Sequence, residues 1–146
     1  MIKKVSGTRF LQHTEFVVTL TKALSPTYPD FSDWLQKRVK DTNTTFYIAT
    51  QKDTVIGVAI IKDESDISCK LSTLYVSEDY RGRGVGHALM EECEEHWATN
   101  GDYYIYVTTR RESLIPFFNR YGFNLIDVRP VDNSHDLDFL LKKIMD

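Results

Sequence analysis

The chain has 146 residues, 42% of them hydrophobic and 27% charged, a composition that excludes a disordered chain and is long enough for one self-sufficient core. Its formal net charge of −3 excludes the broad basic excess of a dedicated nucleic-acid binder but leaves room for a local positive site. Only Cys69 and Cys93 are present and the four histidines never recur at i, i+4, so neither a disulfide framework nor a metal site is expected.

Ile2 to Val5 reads as a short strand. No apolar signal-like segment follows it and no apolar run approaches membrane-spanning length, so the expectation is a soluble, cytoplasmic protein with no membrane partner. Thr8 can cap a helix reaching about Leu24, with Phe10, Val17, Leu20 and Leu24 near one face. The two prolines in Ser25 to Asp30 end it, and a second helix from Ser32 or Asp33 to Lys40 presents Trp34, Leu35 and Val39. Three strand-like runs follow, Phe46 to Thr50, Val55 to Ile61 and Ile67 to Val76, with hairpin connections at Lys52-Asp53 and Asp63 to Asp66.

Val85 to about Trp97 is a helix with Val85, Leu89, Cys93 and Trp97 four apart, stopped by Asn100-Gly101. Tyr103 to Thr108 is a strand, and Glu112 to Tyr121 a short helix closed by Gly122. Phe123 to Val128 and Leu137 to Ile144 are the last two strands. Without repeats or linkers, residues 1–146 read as one α/β (α+β) domain. Its central sheet is mixed and mostly antiparallel, of about seven strands with helices on both faces. A strand–helix–strand crossover through Val85 to Trp97 supplies the parallel part.

The informative segment is Arg81-Gly82-Arg83-Gly84-Val85-Gly86-His87, between the strand ending Leu74-Tyr75-Val76 and the next helix. Alternate glycines let backbone approach a ligand, and the first helical N–H groups lie at the positive end of the dipole. Together with Arg81 and Arg83 they suit a phosphate or pyrophosphate. A helix cap alone needs only one Ser or Asp. A Walker loop would end Gly-Lys-Ser/Thr, whereas here the ending is Val85-Gly86-His87. A dinucleotide fingerprint would place a third glycine where His87 stands, and would favour parallel strands on both sides.

Arg-x-x-Gly-x-Gly after a strand ending Leu-x-Val, with Tyr121-Gly122-Phe123 closing the next unit, resembles the acetyl-CoA loop of the GNAT superfamily of N-acetyltransferases. The resemblance spans nearly the whole chain. It implies that acetyl-CoA is the acetyl donor, with its pyrophosphate on Arg81, Gly82, Arg83, Gly84, Val85 and Gly86, and a further contact from His87. It implies that pantetheine lies along Leu74, Tyr75 and Val76, with Phe118 packed against it, and that the thioester sits where this strand splays from Tyr103 to Thr108. A backbone N–H there would stabilise the oxyanion while an acceptor amine, of a small molecule or a protein, attacks directly.

The chain departs from the family at Phe118, where many members carry the Tyr that protonates the leaving thiolate, and at Arg111, which matches a frequent Asn. Tyr121 lies three residues on and can substitute, although a half-buried aromatic is the plainer reading. No carboxylate occurs from Lys70 to Val76, so no general base is named. Tyr28, Pro29, Phe31 and Trp34 either wall an acceptor site or lid the core, and Arg110 and Arg111 either reach CoA phosphates or are solvated. Two readings of another class stand beside the enzyme: a non-catalytic acyl-CoA-binding module and, more distantly, a nucleotide-binding oxidoreductase. Edge strands near the carboxyl end leave room for a homodimer.

Overall fold

In the computed structural model, which describes residues 1–146, seven strands form one sheet. They are β1 (Ile2–Val5), β2 (Thr44–Gln51), β3 (Thr54–Asp63), β4 (Ser68–Val76), β5 (Tyr104–Thr109), β6 (Asn124–Pro130) and β7 (Leu137–Ile144). Their spatial order is β1-β2-β3-β4-β5-β7-β6, and only β4 and β5 run parallel. Five helices accompany them: α1 (Gly7–Leu11), α2 (Thr14–Leu24), α3 (Phe31–Val39), α4 (Val85–Asn100) and α5 (Ile115–Asn119). The mixed, mostly antiparallel sheet read from the sequence is the one observed.

Alternation along the strands builds two cores, one on each face. On one face Phe10, Phe16, Leu20, Phe31 and Leu35 of the first three helices pack on Phe46, Ile48, Val58 and Ile60. On the other, Leu89, Met90, Cys93, Trp97 and Phe118 pack on Ala59, Leu71, Ile105 and Leu141. β3 is buried on both faces from Val55 to Ile61, and its sequence is accordingly an almost unbroken apolar run. Each large apolar side chain so buried contributes about 1.5–3 kcal/mol.

The single helix expected from Thr8 to Leu24 is two helices, and its cap is Ser6, whose Oγ accepts the Arg9 N–H at 3.1 Å. The chain turns at His13, with φ −82° and ψ 64°. In one continuous helix Phe10 and Phe16 would stand roughly 120° apart around the axis. The break lets both rings enter one core, edge to face with centroids 6.2 Å apart. The second helix begins at Phe31 rather than at Ser32 or Asp33, and Phe31 is itself a core residue, 5% exposed. The last helix is shorter than expected: a 3-10 turn over Glu112–Leu114 leads into α5, and Tyr121 lies beyond its end. The Lys52-Asp53 hairpin holds both residues at positive φ, 51° and 65°, the geometry of a two-residue turn between twisted strands.

One irregularity governs the site. β4 pairs with β3 through Leu71↔Ile61 and then Thr73↔Ile60, leaving Ser72 as a one-residue bulge. Cys69 and Leu71 face the α4–α5 core before the bulge; after it Leu74 and Val76 do, while Tyr75 joins the opposite cluster. The bulge thus reverses the parity of the strand's last four residues.

Candidate active site

β4 and β5 pair only as far as Leu71↔Val107, although β4 continues to Val76 and β5 to Thr109. Past that point they separate, and a cleft of about 1030 Å³ opens between them. Thr73 to Val76 stay paired with β3 on one side, while their other edge has no strand partner. A free edge of backbone N–H and C=O groups is a template for an extended, amide-bearing ligand.

The loop closes one end of this cleft. A 3-10 turn, Glu78–Tyr80, carries the chain off β4, and the Arg81 Nε donates to the Val76 carbonyl at 2.9 Å. The Arg81 guanidinium lies 5.4 Å from the Tyr75 ring centroid. Gly82 and Gly84 have φ of 74° and 83°, which favours glycine, and a Cβ at either would meet no atom within 4 Å. Backbone conformation, with open space above it, therefore sets these two positions. The first intrahelical bond of α4 runs from the Ala88 N–H to the Gly84 carbonyl at 3.0 Å. The Val85, Gly86 and His87 N–H groups have no protein acceptor, and no side chain caps the helix. Three donors at the positive end of a 16-residue helix present an anion site to the cleft.

Of the residues expected to hold the cofactor, Leu74, Tyr75 and Val76 line the cleft along β4. Arg81, Gly82, Gly84, Val85, Gly86 and His87 line its loop end, with Phe118 and Tyr121 across from them. Arg83 is not brought in: its guanidinium sits 5.4 Å from the Tyr80 ring centroid instead. Phe118 is 5% exposed and packs edge to face on Phe123, so it serves cleft and core at once. The Tyr121 hydroxyl is 2.7 Å from His87 Nδ1, and His87 Nε2 pairs with Glu91 one helical turn on. Burial, reinforced by Glu94, pushes the Tyr121 phenol above its usual pKa. The hydroxyl is thereby tied to the first turn of α4.

The aromatic segment after α2 divides. Tyr28 lines the cleft with Ala23 and Leu24, whereas Phe31 is core and Trp34 packs against it with centroids 5.6 Å apart. Arg110, half-buried, neither reaches the loop nor lies free. Its Nη1 donates to the Thr27 carbonyl at 2.6 Å, its Nε to Asp138 at 3.2 Å, and its guanidinium stacks 4.8 Å from the Tyr28 ring centroid. The Arg110 N–H also donates to the Tyr28 hydroxyl at 3.2 Å. This latch fixes the loop after α2 against the ends of β5 and β7. Sequence reasoning missed it because its partners are 82, 83 and 28 residues away.

A mixed seven-stranded sheet that splits between its parallel strands, with a glycine loop and a bare helix N-terminus at the split, defines the acyl-CoA N-acyltransferase class of fold. Comparison with known proteins agrees. Residues 15–136 match the family described as acetyltransferase (GNAT) domain, and the chain belongs to that family. A GNAT-family protein of known structure from Desulfovibrio desulfuricans superposes with a TM-score of 0.79 at 18% identity, covering 99% of this chain and 98% of that one. An aminoglycoside 6'-N-acetyltransferase complexed with coenzyme A gives 0.76 at 17% identity, covering 99% and 96%. A GNAT-family acetyltransferase from Elizabethkingia anophelis with acetyl-CoA bound gives 0.68 at 15% identity, covering 77% and 82%. The uncharacterized protein ML0378 of Mycobacterium leprae is 34% identical over 85 residues, 56% of this chain. The chain spans less than a quarter of that relative's length, 23%.

Proposed function

We propose that the chain transfers an acetyl group from acetyl-CoA to an amine. The carrying observation is that one cleft joins an unpaired β4 edge to the three free N–H groups of α4. Pantetheine, with its two amides, suits the edge; pyrophosphate suits the helix end. Relatives that hold coenzyme A or acetyl-CoA on the same fold support the reading.

The acetyl carbonyl then lies at the β4–β5 splay, where a free β4 N–H donates to its oxygen as negative charge develops there. The amine nitrogen attacks the carbonyl carbon, the C–N bond forms, the C–S bond breaks, and the CoA thiolate leaves. The amine must first shed a proton, since an alkyl ammonium has a pKa near ~10.4. Glu78, at the loop end, is the only carboxylate among the cleft residues, so water carries that proton away. Phe118 cannot return one to the thiolate. Tyr121, tied to His87 beside the loop, serves the phosphate end of the cofactor, and solvent protonates the thiolate.

Titration calorimetry with acetyl-CoA tests the cradle. Gly84→Trp, which fills the open space over the loop, is expected to weaken binding at least 100-fold while circular dichroism stays native. Equal affinity in wild type and variant would refute the cradle. The second reading, a binding module without turnover, is favoured by Phe118 in place of the family's tyrosine. Acetyl-CoA binding without CoA release across a broad amine panel would establish it.

A further inference from the structure

The charges lining the cleft are unequal, and their arrangement bears on the acceptor. At the loop end stand Arg81, Arg120 beside Tyr121, and Glu78, the last held there by its carbonyl, which accepts the Arg81 N–H at 3.3 Å. At the other end the wall consists of Ala23, Leu24 and Tyr28 facing Thr108, Thr109 and Arg111, and contains no carboxylate. Arg110 adds nothing to the field there, because Asp138 neutralises it and Thr27 and Tyr28 hold it. Arg111 differs from its neighbour. It lines the cleft, it is exposed, and no carboxylate pairs with it. Its backbone is fixed, since its N–H donates to the Thr109 Oγ1 at 3.1 Å and Thr109 is buried.

An arginine anchored at its backbone but free at its guanidinium offers a planar fork that matches a carboxylate or phosphate bidentately. A polycation would bring further positive charge into a wall that already holds one and offers no anion. We propose that the acceptor is an amine whose molecule also carries an acidic group, and that Arg111 reads that group. This rests on the transfer reading above. It places the reacting amine and the acid on one molecule, with the apolar body between them against Leu24 and Tyr28. Polyamines and polycationic amino sugars are excluded from this acceptor class.

Amine pairs decide the matter: phenylalanine against phenethylamine and phosphoethanolamine against ethanolamine, which differ in the acid, and 6-aminohexanoate against 1,6-diaminohexane, in which a second amine replaces the acid, with spermidine as the polycation. CoA release at saturating acetyl-CoA is expected to favour the acid-bearing member by tenfold or more in kcat/KM. Arg111→Gln should erase that preference and leave the acetyl-CoA Kd within twofold, Arg111→Lys should keep part of it, and Arg111→Glu should reverse it. Preference for the diamine or spermidine overturns the proposal. So does an Arg111→Gln variant that loses acetyl-CoA affinity while keeping acceptor preference, since Arg111 then belongs to the cofactor.

Calorimetry of the same amines on CoA-saturated protein separates the two readings. Arg111-dependent binding of acid-bearing amines without turnover supports the acceptor class and refutes the transferase. Turnover that ignores the acid does the opposite.

Discussion

The two ends of the β4–β5 pair contrast sharply, though the strands are the same. At the paired end, Ser68 to Leu71 lie beside Tyr104 to Val107, and the groups around them are buried among apolar side chains. The ligand atoms of Asp63, Cys69 and Asp102 lie within 4.8 Å of one another there. Burial, and Asp102 nearby, push the Cys69 thiol far up, and burial with Asp63 raises the Asp102 carboxyl, so ionisation is penalised there. At the open end the same strands expose backbone edges, three helix N–H groups and arginines. Charge is penalised where the strands pair and invited where they part. The bulge at Ser72 stands between the two regimes.

The largest expected effect is at the closed end. Trp97 is fully buried beneath the sheet, edge to face with Phe123, and Trp97→Ala should cost about 3–5 kcal/mol by denaturant unfolding. If loss of Trp97 instead left stability unchanged, the closed end would not be the anchor this contrast requires. A smaller effect is expected at the open end. Tyr121→Phe removes the hydroxyl held by His87 and should raise the acetyl-CoA Kd a few-fold, with kcat nearly unchanged. A collapse of kcat with unaltered Kd would make Tyr121 the proton donor.

The smallest effect concerns pH, on a third surface. His96 is held between the Tyr47 hydroxyl at 2.8 Å and Asn100 at 3.0 Å, and burial lowers its pKa despite Asp63 nearby. The unfolded chain therefore binds more protons here as pH falls below about 6.5, and this contribution to stability declines on acidification. Thermal unfolding between pH 7.5 and 5 should show it, and His96→Phe should flatten the slope. An unchanged slope in that variant would assign the acid sensitivity elsewhere.

Much of this was legible in the sequence, for local reasons. Glycine spacing at Gly82 and Gly84 marked positive φ, and the four-residue recurrence of Leu89, Cys93 and Trp97 marked the buried face of α4. The break at His13 was hidden, because no Gly or Pro announces it and only the joint burial of Phe10 and Phe16 requires it. The exclusion of Arg83 was equally illegible, since its stacking on Tyr80 depends on where the 3-10 turn places that ring. The latch through Arg110 depends on residues that meet only after the whole sheet has formed.

Ser72 carries a consequence for how this chain can change. Removing that single codon would restore an unbroken β3–β4 ladder in which Thr73 follows Leu71 directly, so Leu74 and Val76 would still face the α4–α5 core and Tyr75 the opposite one. Substitution and deletion at Ser72 both leave those faces intact; a deletion takes away only the extra residue that bends the strand near where β4 parts from β5. Length at this position thus sets the bend of the cleft wall, while the side chains that line it are set by the alternation on either side.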